Sequence, residues 1–374
     1  MKPLILACNT GEGHNSTATA IEQAFDRRGV PCDRADSLAF LSCIVSSIVC
    51  AGHEQIYRHA PRVFEVGYRA AEQHPRIFRK RSLLRRLLTG GAGKLKRYIE
   101  DGGYDTVICT HVFSAMMVTG MREKYPDVAA KFFFVATDYT CSPIVGECQM
   151  ETFFIPDEAL VDEFVARGVP RERIAATGLP VRAPFLTAMD RQEAKRMCGL
   201  PTDKKHLLVM CGSMGCGPLE ELTALLADGL GPDAVVSVIC GTNRELYRKL
   251  SRRFDGRTGV RVLGYVQNVP ELMDASELYL TKPGGISVTE ATVKGLPMVL
   301  VNAVAGCEEY NLRYCLERGM ARTAQTPAAL AELCVSLLAD DGQLSVMRQA
   351  MAVHAHADAA ERILDHVTAA EKRA

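Results

Sequence analysis

Short apolar runs that alternate with helical patterns are the feature of this 374-residue sequence that most restricts its fold. Residues 3–8, 106–110 and 131–136 have the length and composition of buried parallel strands. Residues 17–28 and 113–124 lie between these runs and have the spacing of amphipathic helices. Because strands and helices alternate, we predict an α/β fold with doubly wound parallel sheets.

A second series of strand-like runs follows, each with a turn and a helical pattern behind it, at 206–211, 234–240, 260–263, 278–281 and 298–301. A proline-containing polar stretch separates the two series. We therefore predict two Rossmann-like domains facing a cleft, residues 1–190 and 191–350, and a final Ala-rich helix over 351–374 that packs back on the first domain. Ligands of such sheets bind beyond the carboxyl ends of the strands, so the turns at these ends are the candidate sites.

The first glycine-rich turn of the second half is "CGSMGCGP", residues 211–218, directly after a predicted strand. Glycine lets backbone N–H groups approach an anion closely, so Gly212, Ser213 and Gly215 are candidate phosphate contacts. Turns of this composition also occur without a phosphate. The residues alone leave both interpretations open.

The second turn, "TKPGGISVTEATVKGLP", carries more information. A strand ends at Thr281, and Gly284 and Gly285 form the turn. A helix is predicted to start near Ser287, and its free N–H groups and partial positive charge suit a pyrophosphate. Glu290, one turn further on, either accepts hydrogen bonds from a ribose diol or complements the helix dipole.

Residues 282–311, "KPGGISVTEATVKGLPMVLVNAVAGCEEYN", resemble the sugar-nucleotide motif of GT-B glycosyltransferases, which include the lipid II GlcNAc-transferase. Five further blocks are similar, in the same order, to monogalactosyldiacylglycerol synthases and bacterial processive diacylglycerol glucosyltransferases: "NTGEGHNSTATAI", "VATDYTCSPIV", "FFIPDEAL", "TGLPVRAPF" and "VLGYVQNVPELMDASEL". These blocks are distributed over nearly the whole chain, so together they are more specific than any single one.

The resemblance implies a GT-B fold in which the second domain binds a UDP-sugar and the first binds a diacylglycerol acceptor. The donor-binding residues that it implies, together with those of the two turns, are Gly212, Ser213, Gly215, Gly284, Gly285 and Ser287 near the diphosphate, Glu290 at the ribose, Tyr265 and Val266 at the uracil, and Glu308 and Asn311 at the hexose. Cys307 stands where the family usually has glutamine, and a thiol cannot make the contacts of an amide. The donor is therefore left open between UDP-glucose and UDP-galactose.

The turn after the first strand, "NTGEGHN", places Gly13 and His14 where a helix is predicted to begin. Histidine titrates near neutral pH and can remove the proton of an alcohol, although a histidine here can also cap the helix or fill space. The family has Gly-Gly-Gly-His at this place, which implies that His14 is the general base. Glu12 replaces the middle glycine of that element.

Asp138 follows the strand at 131–136, where an aspartate often caps a turn. The resemblance places it on the acceptor side and implies that it orients or assists His14. The expected step is an in-line displacement at the anomeric carbon with inversion. It yields a β-glycosyl diacylglycerol, a product of glycolipid biosynthesis.

Residues 57–97 carry twelve Lys or Arg and two Glu, with apolar residues between them. A basic amphipathic segment binds anionic membrane surfaces, with about 1 kcal/mol from each basic residue near the surface. We expect acceptor and membrane contacts at Gly13, Arg79, Lys80, Arg81, Arg85 and Arg86. The alternatives are a solvated face paired with acids elsewhere and a nucleic-acid surface, but no aromatic platform or recognition motif favours nucleic acid.

No apolar stretch approaches the roughly 20 residues that span a bilayer, and the N-terminus lacks the pattern of a signal peptide. We therefore expect a cytoplasmic protein at the inner face of the cell membrane. The fourteen cysteines include no CxxC pair, which favours buried, reduced thiols. No metal and no cofactor besides the donor are expected.

The sequence thus predicts an inverting hexosyltransferase that uses a UDP-sugar and acts on diacylglycerol. Two alternatives remain. One is another UDP-sugar enzyme of the GT-B fold, either a lipid-linked GlcNAc-transferase or a UDP-GlcNAc 2-epimerase. The other is a regulator that binds a UDP-sugar without turnover.

Overall fold

The computed structural model describes residues 1–8, 12–42, 69–70, 82–215, 217–302 and 306–372. The chain divides into two compact units. The first comprises Met1–Ala183, Val304–Cys307 and His356–Ala374. The second comprises Pro184–Ala303 and Glu308–Ala355.

Each unit contains one parallel six-stranded sheet, which confirms the predicted α/β fold. The first sheet has the order β2-β1-β3-β4-β5-β6 and the second the order β12-β11-β10-β7-β8-β9. The strands of both sheets, in chain order, are β1 Pro3–Ala7, β2 Asp33–Asp36, β3 Thr106–Cys109, β4 Lys131–Val135, β5 Thr152–Ile155, β6 Ile174–Ala176, β7 Lys205–Met210, β8 Ala234–Ile239, β9 Val260–Leu263, β10 Leu278–Thr281, β11 Met298–Leu300 and β12 Ala321–Thr323.

Helices connect successive strands. Within the described residues they are α1 Glu12–Arg27, α2 Leu83–Leu88, α3 Ala92–Gly102, α4 Val112–Lys124, α5 Val161–Ala166, α6 Ala183–Leu186, α7 Arg191–Met197, α8 Leu219–Gly229, α9 Arg244–Arg253, α10 Val269–Asp274, α11 Gly285–Val293, α12 Cys307–Glu317, α13 Pro327–Ala339, α14 Asp341–His354 and α15 Ala359–Lys372. The described residues also form four short 3-10 turns, at Ser37–Phe40, Val145–Glu147, Glu158–Leu160 and Arg171–Arg173.

The apolar pattern predicted eight of the twelve strands, namely β1, β3, β4 and β7 to β11, but not β5, which lies inside the first sheet. β1, β3 and β4 are almost entirely buried, as their composition requires. The pattern missed β2, whose sequence DRAD is polar because it forms an exposed edge of the first sheet. It also gave no sign of the three-residue strands β6 and β12, at the edges of their sheets.

The final helix α15 belongs to the first unit. Ile363, Leu364 and Val367 are fully buried in the same core as Ile21 and Phe25 of α1. At the surface the Glu361 carboxylate accepts hydrogen bonds from Arg27 and Arg28, but such exposed pairs contribute little stability. Burial of the apolar face is therefore what holds α15 on α1.

The long N-terminal segment of the first unit ends at Ala183, seven residues before the predicted domain boundary at 190. α7 lies beyond it in the second unit, where the buried Lys195 ammonium donates to Glu277 Oε1 at 2.9 Å. The second oxygen of Glu277 accepts the backbone N–H of His206 at 2.5 Å. Burial, with the charges of Arg261 and Lys195, lowers the pKa of His206 to about 3, so this ring stays neutral. The Glu277 carboxylate thus accepts hydrogen bonds from the Lys195 ammonium and from the neutral backbone N–H of His206.

We expect Glu277→Ala to destabilise the protein by about 3–5 kcal/mol, because the buried Lys195 side chain would be left without its counter-ion. Glu220→Ala is the matched control. Glu220 pairs with Lys249 and Arg253 at the surface, and its loss should cost about 1 kcal/mol or less. Differential scanning calorimetry of both variants measures the two costs. Equal costs would show that the Lys195–Glu277 pair is not the buried contact described here.

Candidate active site

The turn between β10 and α11 is an open helix start. α11 begins at Gly285, two residues before the predicted start, and Gly284 at its N-cap has an extended backbone and no capping side chain. Ser287 lies in the first turn and is half-buried. The first N–H groups of a helix have no partner within the helix and carry partial positive charge. This end of α11 is therefore suited to an anion such as a diphosphate.

The turn after β7 depends on its glycines for conformation. Gly212, Gly215 and Gly217 have φ angles of 74°, 56° and 92°, which only glycine adopts without strain. A β-carbon at Gly215 would also lie 2.2 Å from the carbonyl oxygen of Cys240. These glycines thus have a structural reason to be present, in addition to the predicted phosphate contact.

The same turn is held by the loop that follows β8. The carbonyl of Ser213 accepts the backbone N–H of Thr242 at 2.8 Å, and Asn243 Nδ2 donates to the carbonyl of Gly215 at 3.3 Å. β7 and β10 are neighbours in the sheet, so the turn after β7 and the turn before α11 start at the same edge. The structure brings the two predicted glycine-rich turns together.

Glu290, the predicted ribose contact, lies in the second turn of α11 with 6% of its surface exposed. Its charge acts on the buried ring of Tyr279 and adds to the effect of burial, which raises the pKa of that phenol. Tyr265, the predicted uracil contact, follows β9 and is 65% exposed, and Val266 beside it is half-buried. An exposed aromatic ring offers a face on which a base can stack.

The residues predicted to contact the hexose lie in the first turns of α12, which begins at the half-buried Cys307. Glu308 accepts from Lys282 Nζ at 2.8 Å. The structure corrects the role of Asn311, because this side chain is fully buried and its Nδ2 donates to the Pro283 carbonyl at 3.0 Å. Asn311 therefore holds α12 against the turn rather than facing a ligand.

His14 lies within the first turn of α1 rather than in a loop, next to the half-buried Gly13. Its Nδ1 is 2.9 Å from the carbonyl oxygen of Thr110 and 3.1 Å from Thr137 Oγ1. A carbonyl only accepts, so Nδ1 must carry the proton. The lone pair of the neutral ring is then on Nε2, the atom that can act as a base.

A second ring, which the sequence analysis missed, restrains His14. The rings of His14 and His111 meet edge to face with centroids 4.3 Å apart. His111 is the N-cap of α4, and its own Nδ1 accepts the backbone N–H of Phe113 at 3.0 Å. This capping position, directly after β3, was the available sequence signal. The contact of His14 with Thr110 and the packing of His111 fix the His14 ring from two sides.

Asp138 acts on His14 through its charge. Burial lowers the pKa of His14, while the charge of Asp138 and the bond to the Thr110 carbonyl oppose that shift. The net direction is downward, so the ring is neutral at pH 7. Thr110 and Thr137 contact Nδ1, and the predicted role of Asp138 in orienting the ring stays a prediction. Glu12, beside the helix start, is exposed.

The structure corrects one residue of the basic segment. Arg85 on α2 is 3% exposed and donates to Glu123 Oε1 at 2.8 Å, with Glu147 as a second acid at 3.7 Å. It is thus a buried, paired residue rather than a membrane contact. Arg86, the next residue, is exposed. Arg79, Lys80 and Arg81 lie outside the described residues.

The described residues contain neither a metal-binding cluster nor a membrane-spanning helix. No group of three or more His, Cys, Asp or Glu is placed to hold a metal ion there. In that part of the chain no helix is long and apolar enough to cross a membrane. The cysteines it contains are free thiols, most of them buried.

Comparisons with known proteins agree with this arrangement. Residues 14–181 match the family model described as monogalactosyldiacylglycerol (MGDG) synthase, and residues 219–354 match the model described as glycosyl transferases group 1. The processive diacylglycerol beta-glucosyltransferase of Bacillus cytotoxicus is 28% identical over 367 residues, which cover 97% of this chain and 92% of that protein.

Solved structures show the same fold at low identity. MurG of Acinetobacter baumannii is 13% identical with a TM-score of 0.64, over 98% of this chain and 99% of that one. A putative UDP-N-acetylglucosamine 2-epimerase from Listeria monocytogenes is 14% identical with a TM-score of 0.66, over 100% and 97%. At such identities the likeness shows the GT-B fold alone, and it does not separate transferases from epimerases.

We expect Asp138→Asn to lower the pKa of His14 further, because the substitution removes the charge that favours the imidazolium form. NMR titration of the histidine rings measures this, with His14→Ala identifying the resonance. Asp365→Asn is the control, since Asp365 pairs with Arg28 at the surface of α15 and should leave the titration unchanged. An unchanged His14 titration in Asp138→Asn would show that Asp138 does not act on this ring.

Proposed function

Since the chain belongs to the glycosyltransferase family of monogalactosyldiacylglycerol synthases and processive diacylglycerol glucosyltransferases, we propose that it transfers a hexose from a UDP-sugar to the hydroxyl of diacylglycerol with inversion. The observation that carries the proposal is His14, whose Nδ1 is bonded to the Thr110 carbonyl so that Nε2 is left as the base. The product is a β-glycosyl diacylglycerol.

The proposed base works as follows. An alcohol becomes a good nucleophile only as its proton is removed, and the neutral His14 ring takes that proton on Nε2. As the ring becomes positive, the Thr110 carbonyl accepts a stronger hydrogen bond from Nδ1 and the charge of Asp138 stabilises the imidazolium. Because the pKa of His14 is lowered, the base is already deprotonated at pH 7, and activity should fall as the pH drops below that pKa.

The proposed leaving group is UDP. As the bond to the anomeric carbon breaks, negative charge develops on the β-phosphate. The N–H groups at the start of α11 are fixed in place and stabilise that charge without reorganising. In this proposal the helix start supplies the positive field, and no metal ion is used.

Glucose is the donor sugar that we favour. The relative that matches this chain over 97% of its length is named a glucosyltransferase, whereas the match to the MGDG synthase model covers residues 14–181 only. Residues 14–181 belong to the unit without the donor turns, so that match gives less information about the sugar.

Mass spectrometry of lipid products tests the proposal. Purified protein with diacylglycerol vesicles and UDP-glucose, in the presence of EDTA, should give monohexosyl diacylglycerol of the β configuration by NMR. UDP-galactose and UDP-GlcNAc are run in parallel. Product from UDP-galactose alone would correct the sugar, and UDP-GlcNAc epimerisation without any glycolipid would favour the epimerase alternative. Binding of UDP without turnover of any donor would favour the regulator.

We expect His14→Ala to lower the rate of transfer by about 10²–10⁴-fold, the usual contribution of a general base, with UDP affinity nearly unchanged. UDP affinity should persist because the proposed donor residues lie in the other unit. His354→Ala is a control for loss of a ring outside the proposed site; its ring packs on Tyr314 in the second unit. Full activity of His14→Ala would remove this residue from the mechanism.

We also propose that α2 contributes to binding an anionic membrane surface. Arg86 is exposed on this short helix, and Leu87 beside it is 42% exposed, so a cation and an apolar side chain are available together. Arg79, Lys80 and Arg81, which were also predicted to contact the membrane, lie outside the described residues.

Vesicle pelleting tests the membrane proposal. The double variant Arg86→Glu with Leu87→Gln should pellet less with phosphatidylglycerol vesicles, by about tenfold in partition coefficient, because one favourable charge becomes repulsive. The control pair is Arg252→Glu with Val353→Gln, which changes one exposed basic and one exposed apolar residue of the second unit. Equal pelleting of both double variants would contradict a role for α2.

A further inference from the structure

Lys282 lies between the two glycine-rich turns of the second unit. A β-carbon at Gly212 would be 2.7 Å from Lys282 Cε and 3.6 Å from its Nζ. A β-carbon at Gly284 would be 3.8 Å from the same Cε. The lysine side chain therefore occupies the space that a side chain at Gly212 would need and lies within van der Waals distance of one at Gly284, and it carries its charge to the edge where β7 and β10 end.

Glu308 and Asn311 bring α12 to this lysine. They are three residues apart on one helix and so lie on the same face. Glu308 Oε1 accepts from Lys282 Nζ at 2.8 Å, and Asn311 Nδ2 donates to the carbonyl of Pro283, the next residue. Lys282 is 23% exposed and Glu308 13%, so the ion pair is largely screened from water. The first turns of α12 thus contact the turn before α11 through two polar side chains.

We propose that Lys282 binds the diphosphate of the donor and that Glu308 competes for it, so that the Lys282–Glu308 pair links recognition of the diphosphate to recognition of the hexose. The inference rests on the proposed function, because it takes a UDP-sugar as the ligand. An anion at the start of α11 meets both the ammonium of Lys282 and the negative charge of Glu308. As the anion takes the ammonium, the Glu308 carboxylate loses its cation and gains the hydroxyl groups of a hexose as donors.

This arrangement predicts that Glu308 weakens the binding of UDP but not that of UDP-glucose, although both ligands contain a diphosphate. UDP has no hexose, so Glu308 only opposes its binding. UDP-glucose has hexose hydroxyl groups that donate hydrogen bonds to Glu308 in place of the Lys282 ammonium. Glu308 therefore makes the site prefer the loaded donor over the spent nucleotide, which is the product that must leave.

Isothermal titration calorimetry of UDP and UDP-glucose tests the inference. In Glu308→Gln we expect the Kd of UDP to fall about tenfold, since a like charge and a competitor are removed, while the Kd of UDP-glucose stays the same or rises. In Lys282→Met both ligands should bind about 10–100-fold more weakly, whereas Lys282→Arg should retain most of the affinity. Uridine, which has no phosphate, should bind Lys282→Met as it binds the unaltered protein.

Two controls separate the local pair from general charge effects. Glu309→Gln removes the neighbouring, exposed carboxylate of α12, and Lys249→Met removes an exposed lysine that pairs with Glu220. Neither should change the affinity for UDP by more than about twofold. Thermal melting of each variant establishes that it is folded.

The double variant Lys282→Met with Glu308→Gln gives the decisive measurement. Without the lysine there is nothing to compete for, so the gain in UDP affinity that Glu308→Gln gives should shrink to the part that comes from removing the like charge. The inference is overturned if Glu308→Gln weakens UDP and UDP-glucose equally, or if Lys282→Met leaves UDP affinity unchanged. If the unaltered protein binds no UDP, the proposed function fails as well, and that result is distinct from the other two.

Discussion

The Thr281 hydroxyl donates a hydrogen bond to the carbonyl of Met210 at 2.7 Å, so that the neighbouring parallel strands β10 and β7 end side by side. The proposed donor site depends on this alignment. Both glycine-rich turns begin there, so Lys282 can lie across Gly212. A shift of one residue in the register would turn every side chain of β10 to the opposite face of the sheet. The relative placement of the two glycine-rich turns thus depends first on the pairing of β7 with β10, and only then on the conformation of the turns.

In the first unit, too, the candidate site lies at the carboxyl ends of the strands, but there the backbone group is a hydrogen-bond acceptor rather than a donor. β1, β3 and β4 are adjacent, and the residues after them supply His14, Thr110 and Thr137. In the second unit the N–H groups at the start of α11 are the proposed donors to a phosphate, whereas here the Thr110 carbonyl accepts a hydrogen bond from His14 Nδ1. Two sheets of one architecture therefore place a proposed anion site and a proposed base beyond the carboxyl ends of their strands.

The sequence predicted the fold and most of the inner strands of both sheets because buried parallel strands must be apolar along their whole length. It missed β2 because an edge strand exposed to solvent can be as polar as DRAD. By resemblance it predicted roles for His14 and Glu308, which stay predictions, and it gave a hexose contact to Asn311, whose side chain the structure buries. Arg85 was misjudged for a similar reason, since its acids Glu123 and Glu147 lie far along the chain. His111 escaped notice because its contact with His14 exists only once β1 and β3 are paired.

The return of α15 to α1 has a consequence for biosynthesis. Ile363 and Leu364 of α15 complete a core whose members outside this helix come from α1, β1, β3, β4 and β5, far earlier in the chain. The second unit is continuous except for one short stretch and can acquire its sheet while the chain is still emerging from the ribosome. The first unit must wait, with part of its apolar surface uncovered, until α15 has been synthesised. Until then, this face of the first unit in the nascent chain is exposed to chaperones and proteases.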